Sequence, residues 1–321
     1  MRATSQKRGF TIVELLTVMS IIIILMGVLV PAVNKTRIFA KTVTQRAQFH
    51  EISRGLELFR NDHEEAYPDS SAVDSNASPA GYCGAMRLCE ALIGQDGMGF
   101  HPSSSNFQAK QTDAYPFDLC KQKTADDVAG NTTLAASLRE RIKYTEAESV
   151  SAVRLQDIYN WDITSGTSYY AGIAFKNGDG YPNAVIFDVF RRATIQSTRC
   201  PDRGSQKVGM PVLYYKADSS KLAHDATTAP DPSKSNTNIY NFDDNYAITA
   251  LGCPWETSPP PPSGTGTPHP MQTDPRVFLN AITNSKATAT PRPHNEGTYI
   301  LLSAGYDGLY GTTDDVYNFI D

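Results

Sequence analysis

Three aspartates, Asp307, Asp314 and Asp315, share one short stretch with Gly305, Gly308 and Gly311. Carboxylates set among glycines suit a hard cation. Calcium takes about six to eight oxygens from carboxylates, backbone carbonyls and water, and glycine lets the backbone curl so that carbonyls face inward. The spacing is not that of an EF-hand, which needs alternate oxygens and a distal glutamate. On residue types alone, an acidic turn and a calcium site both fit. Asn177-Gly178-Asp179-Gly180 offers a weaker version of the same chemistry and reads as a plain turn. The chain has no G-x-S-x-G, no H-E-x-x-H and no P-loop. No nucleophile-and-base pattern is present, and a non-enzymatic protein is expected.

Five cysteines, Cys83, Cys89, Cys120, Cys200 and Cys253, suit an oxidising compartment. Their number is odd, so one stays free unless another chain supplies its mate. Cys83 and Cys89 are near enough in sequence to staple one loop. Cys200 with Cys253 is one second pairing among several, since connectivity is not readable from sequence. No C-x-x-C occurs, and the histidines are scattered, so zinc is not expected.

One more ionisable group stands out by its place. Glu14 sits at the head of an apolar run that continues without charge from Leu15 to Val30, with Ile21, Ile22, Ile23 and Ile24 in a row. Residues 10–30 make about 21 helical positions, roughly 30 Å and enough to cross a bilayer. Leu, Ile and Val fill 11 of the positions from Leu15 to Val30. At about 0.3 to 0.6 kcal/mol each they favour insertion by roughly 3 to 7 kcal/mol. An acid at the membrane centre costs about 2.5 to 3.5 kcal/mol, and less near the edge where Glu14 lies. Insertion wins, and the acid remains costly enough to suggest a function. The plainer reading is a negative charge that complements the helix dipole.

The flanks exclude an ordinary secretory signal. Arg2, Lys7 and Arg8 precede the run, but the run is long and passes into Pro31-Ala32-Val33 with no small-residue exit. The small residue, Gly9, comes before it instead. Gly9-Phe10-Thr11-Ile12-Val13-Glu14-Leu15-Leu16 resembles the N-terminal signature of type IV pilins and type II secretion pseudopilins. The resemblance implies cleavage after Gly9 by a prepilin peptidase and methylation of the new N-terminus at Phe10. It implies assembly into a helical filament, with Glu14 neutralising the terminal amine of a neighbouring Phe10. Two charges that are each costly in an apolar bundle become tolerable when paired. It also implies that Pro31 kinks the helix. The segment Leu56 to Asp62 followed by Tyr67-Pro68 is similar to the stretch after the helix in major pseudopilins. The acidic loop resembles their calcium-binding C-terminal loop, which makes Asp307, Asp314 and Asp315 the side-chain candidates for Ca2+. Backbone oxygens near Leu302, Ser303 and Tyr310 are weaker candidates.

The expected fold is α+β. A long N-terminal helix, transmembrane in its first half, packs on a C-terminal head with an antiparallel sheet and a calcium-type loop. The expected divisions are a leader at 1–9, a helix at 10–61 whose residues 10–30 span the membrane and assemble, and a head at 62–321. Within the helix Ile38, Phe39, Val43, Ala47, Ile52, Leu56 and Phe59 recur at helical spacing. The head has a proline-rich loop at 254–275, expected to be exposed and extended. Short helices are expected over 85–93, 134–144 and 276–283, and strands over 211–216, 298–303 and 316–320. Residues 169–175 and 184–190 are expected to pair as a hairpin across the Asn177–Gly180 turn.

The chain has 321 residues, with Lys plus Arg 29 against Asp plus Glu 34. Loss of the leader removes three basic residues and leaves 26 against 34, a formal charge of −8. That balance excludes a basic nucleic-acid surface. The basic leader stays cytoplasmic by the positive-inside tendency and sends the head outward. The expected state before assembly is a single-pass inner-membrane protein, and afterwards a periplasmic or extracellular filament. The resemblance implies the partners: copies of the chain and other pilins, the prepilin peptidase, an inner-membrane assembly platform, and the bilayer. The head is much longer than that of a small pseudopilin. An alternative is therefore a minor or tip pilin whose head binds a surface, DNA or a secreted substrate.

Overall fold

The computed structural model describes residues 11–71, 83–94, 97, 99–101, 141–146, 150–155, 158–159, 169–170, 173–174, 184–190, 192–196, 205–228, 236–256, 265–287 and 290–319. The architecture is α+β. Helix α1 runs Ile12–Asp62 and helix α2 Gly84–Ile93. Strands follow at β1 (Ala152–Arg154), β2 (Tyr169–Tyr170), β3 (Ile173–Ala174), β4 (Ala184–Ile186), β5 (Ala193–Gln196), β6 (Ser205–Val208) and β7 (Leu213–Lys216). Three short helices, α3 (Tyr246–Thr249), α4 (Pro270–Thr273) and α5 (Arg276–Ala281), precede β8 (Tyr299–Ser303) and β9 (Val316–Tyr317). The chain divides into two compact units, Met1–Val43 and Thr44–Asp321.

In the first unit, α1 carries no charge on any face from Leu15 to Val30, and its apolar side chains there are exposed, from Leu15 at 57% to Val30 at 55%. Pro31 lies inside the helix, where it removes an amide donor and crowds the carbonyl four residues back.

In the second unit the remainder of α1 buries Gln45, Gln48, Phe49, Ile52, Gly55, Leu56 and Phe59. The expected apolar stripe therefore divides. Ile52, Leu56 and Phe59 are core, while Phe39 and Val43 are exposed at 69% and 51%. Gly55 permits close contact with α2, because a Cβ there would lie 2.8 Å from Leu92 Cδ2. All ten residues of α2 are buried. The start of α2 abuts β7 just as closely: a Cβ on Gly84 would lie 2.2 Å from the Tyr214 carbonyl oxygen. Asn245 secures this junction by accepting from the Ala85 amide at 2.8 Å and donating to the Tyr214 carbonyl at 2.7 Å.

The largest sheet has the order β7-β8-β9, all antiparallel, with Leu213 opposite Leu302, Lys216 opposite Tyr299, and Ser303 opposite Val316. Every residue of the central strand β8 is buried, which explains its unbroken apolar sequence Tyr299-Ile300-Leu301-Leu302.

Several expectations need correction. Ala184–Ile186 does not pair with Tyr169–Ala174. It pairs with β1, while β2 pairs with β3, Tyr170 opposite Ile173. Segments close in sequence cost less chain entropy to bring together, and the nearer pair wins. The Asn177–Gly180 turn lies outside the described residues. Ile142 is not helical but bridges Phe100; residues 131–140 lie outside the described residues. The proline-rich loop does not stay extended to 275. His269 and Met271 are fully buried, and α4 opens with Pro270 at its first position, where a proline's missing amide costs nothing.

Candidate functional site

Two places in the chain could do the chemistry expected of it. The first is the start of α1. Gly9 and Phe10 lie outside the described residues. Thr11 caps the helix: its hydroxyl accepts from the Glu14 amide at 3.2 Å, and Glu14 Oε2 accepts from the Thr11 amide at 2.9 Å and hydroxyl at 2.8 Å. This is a capping box, in which two orphan donors of the first turn are satisfied reciprocally. Glu14 is thus held beside the residue that follows Phe10. Further on, Thr17 donates to the Glu14 carbonyl and Ser20 to the Thr17 carbonyl. The hydroxyls of the apolar segment are thereby spent on backbone oxygens, as lipid requires. The helix is long and apolar enough to cross a membrane. A helix apolar all round and bare of contacts is suited to a bilayer or a bundle of its own kind.

The second place is the loop between β8 and β9. Gly305, Gly308 and Gly311 hold φ of 66°, 75° and 95°, values that other residues rarely adopt. A Cβ on Gly305 would also strike the Asp314 carbonyl oxygen at 2.2 Å. These turns bring the three aspartates into one loop. Asp314 Oδ2 accepts from the Asp307 amide at 2.8 Å and Asp314 Oδ1 from the Thr312 hydroxyl at 2.5 Å. Asp307 Oδ1 accepts from the Leu309 amide, and Asp315 Oδ2 from the Gly311 amide, each at 2.8 Å. Asp315 Oδ1 is buried with no hydrogen-bond partner. The Tyr317 hydroxyl lies beside the same carboxyl; burial first, and then the charge and hydrogen bonding of Asp315, push the phenol well above its usual range.

The charges in this loop are strained. Burial pushes the Asp315 carboxyl up to about 8, and Asp314 and Asp307 add to the shift. Burial and neighbouring Asp314 also raise Asp307. Asp314 goes the other way, because the donors from Thr312 and Asp307 outweigh its burial. A loop with a buried, unpartnered carboxylate oxygen and two crowded acids has oxygen donors of the kind that a hard cation uses. Among the described residues no group of three or more His, Cys, Asp or Glu already forms a metal-holding cluster. The Ser303 hydroxyl donates to Asp188 Oδ2 at 3.0 Å and accepts from the Gly305 amide at 3.3 Å, so only its backbone oxygen remains for a cation.

The cysteines correct one expectation. Cys83 and Cys89 are free thiols. Cys83 caps α2 and Cys89 lies within it. At 1.5 Å of rise per residue the helix separates them by about 9 Å, beyond the roughly 4.4 to 6.8 Å between Cα atoms that a disulfide spans. Cys253 is also a buried free thiol, set 3.5 Å from the Gly308 carbonyl. Cys120 and Cys200 lie outside the described residues.

Two contributors escaped the sequence reading. Arg192 donates to the Tyr306 carbonyl at 3.2 Å and to the Asp307 carbonyl, and lies over the Trp255 ring at 5.5 Å. It ties the acidic loop to the rest of the head. Gln45 and Gln48 are polar residues on the buried face of α1. No local pattern marks them, because their partners are over a hundred residues away in sequence.

Residues 4–30 match the family described as the Prokaryotic N-terminal methylation motif. No curated protein and no solved structure matches the chain. The match covers the segment that carries Gly9, Phe10 and Glu14, and it supports a protein of the type IV pilin-like prepilin kind.

Proposed function

We propose that this chain is a structural subunit of a pilus-like or pseudopilus filament. A prepilin peptidase cleaves it after Gly9, and Phe10 becomes the methylated N-terminus. Before assembly the helix holds the protein in the inner membrane with its head outside the cytoplasm. Assembly then packs the bare apolar helices together, with Glu14 of one subunit neutralising the amine of another. The observation that carries this reading is the methylation motif at residues 4–30 placed on a helix whose side chains are exposed from Ile12 to Val33. Motifs of this kind belong to structural proteins rather than enzymes. Mass spectrometry of the exported protein tests it. The expected product begins at N-methylated Phe10. Retention of Met1, or a cut elsewhere, overturns the reading.

We infer further that the β8–β9 loop holds Ca2+. Asp307, Asp314 and Asp315 supply the carboxylates. The buried Asp315 Oδ1 without a hydrogen-bond partner supports this, since a bound cation would pair the charge that this carboxyl otherwise avoids by keeping its proton. The ion's part is structural: it offsets the mutual repulsion of the three acids. Full-length protein in non-ionic detergent should melt at a lower temperature with chelator, and calcium should restore it. An unchanged melting curve removes the metal.

A further inference from the structure

A cleft of about 370 Å³ opens in the head between the Asp69–Ser71 segment, the end of β7 and the turn after it, and the 236–244 segment. It is remote in sequence from both places described above. Its walls are mostly hydrophilic, and among the described residues Ala217 and Ile239 are the apolar lining side chains.

The acids in the walls are already occupied. Asp69 pairs with Arg87 at 3.3 Å and accepts from the Ser71 hydroxyl. Asp218 accepts from the amide and hydroxyl of Ser220, at 3.0 and 2.6 Å. Asp244, 5% exposed, accepts from the Ser70 hydroxyl. Burial also pushes the Asp244 carboxyl up to about 7, so about half of it keeps its proton near neutral pH. The Ser70 hydroxyl is itself locked, because it accepts from the Lys216 amide at 2.9 Å. Asn236 spends both its amide groups on Asn238.

What remains unspent is the pair of ammonium groups. Lys216 and Lys221 line the cleft, and among the described residues neither side chain has an ion pair within 4.0 Å or a hydrogen-bond partner. Both lie close enough to Asp218 to lower its carboxyl. With Asp69 paired to Arg87 and Asp244 only about half protonated near pH 7, the two lysines stand against Asp218 and part of Asp244, and they are the cationic lining side chains of the cleft among the described residues. The cleft is also larger than a single ion needs, and falls in the range of about 300 to 1,000 Å³ that small-molecule sites occupy.

We propose that this cleft binds a sugar-like molecule carrying one oxyanion, a carboxylate or a phosphate. Lys216 and Lys221 take the oxyanion, and the Ser219 hydroxyl together with the spare lone pairs of Asp218 and Asp244 takes hydroxyl groups. The mostly polar wall disfavours a wholly apolar body, which would strip water from these groups without replacing its hydrogen bonds. The site needs only the folded head and does not depend on filament assembly.

Calorimetric titration of the full chain in non-ionic detergent tests this with four probes: glucuronate, glucose 6-phosphate, glucose and inorganic phosphate. The two charged sugars are expected to bind with Kd of about 1 mM or tighter, and the other two at least about tenfold more weakly. A K216Q/K221Q double variant should keep its melting temperature and lose charged-sugar binding by at least about tenfold. Three results each overturn the proposal: no binding of either charged sugar, glucose or phosphate binding as tightly as they do, or binding undiminished in the double variant. Should the double variant melt early, the single K221Q variant, altered outside any strand, carries the same expectation of weakened binding.

Discussion

Gln45 and Gln48 share a hydrogen bond of 2.9 Å on the buried face of α1. Gln48 Nε2 also donates to the carbonyls of Val150 at 3.1 Å and Phe187 at 2.9 Å, and Gln45 Oε1 accepts from the Val189 amide at 2.9 Å. The helix is thus joined to two distant loops by directional bonds as well as by oily contacts. An apolar residue could fill the space at position 48 but would leave both carbonyls without their donor.

The Gln48→Leu variant should therefore be destabilised despite its better match to a helix core. A buried acceptor without a partner costs about 1 to 3 kcal/mol. Thermal melting of the full chain in detergent measures it. A variant as stable as the parent would show that water reaches these carbonyls.

Glu14 has two roles that one pair of variants separates. In the capping box it accepts hydrogen bonds from Thr11, and glutamine can do the same. Only the carboxylate can neutralise an amine. Both Glu14→Gln and Glu14→Ala are expected to be processed normally and excluded from filaments, as read by immunoblot of sheared filaments against membranes. Incorporation of Glu14→Gln would mean that the cap is the role that matters.

The acidic loop should respond to pH in a direction opposite to that of most carboxylates. Asp315 holds its proton in the folded state to about pH 8, whereas in the unfolded chain it loses it near pH 3.9, by about the usual carboxylate value. Between these values the folded state binds more protons, so stability falls as pH rises. In chelator the melting temperature should drop between pH 5 and pH 8, and excess calcium should flatten the slope. Asp315→Asn should reduce the slope, most of all above pH 7 where buried Asp244 no longer contributes, and should remove the calcium response.

The two tight glycines of the core should differ in tolerance. Gly84→Ala pushes a methyl group against the Tyr214 backbone oxygen, while Gly55→Ala meets mainly the Leu92 side chain. Overpacking costs about 1 to 3 kcal/mol. The first change should sit at or above the upper end and the second below it, because a side chain can shift and a strand carbonyl cannot. Chemical denaturation of the two proteins ranks them.

The three described thiols should be inert in the native protein. Burial pushes Cys83 up to about 11 and Cys253 up to about 12, and Cys89 higher still. Little thiolate exists at pH 8, and thiolate is the reactive form. Peptide mapping after alkylation should find these three positions unmodified until denaturant is added.

The methylation motif at residues 4–30 and the apolar helix from Ile12 were legible without a structure. Their information is local: basic leader, glycine, phenylalanine, acid and uninterrupted apolar run are adjacent in the chain, and a bilayer selects on length and apolarity alone. Strand β8 and helices α2 and α5 were legible for a similar reason, since continuous or periodic burial leaves a short-range pattern. The pairing of β4 with β1, the burial of His269 and Met271 beyond the prolines, and the clamp of Gln45 and Gln48 were not. Each depends on which distant backbone groups meet it, and no spacing within a segment records that. The same division runs through the acidic loop. Its composition announced oxygen chemistry, but only the folded turns decided that Asp315 would be the carboxylate buried with an oxygen unpaired, because burial is a property of the neighbours that surround a residue and not of the residue itself.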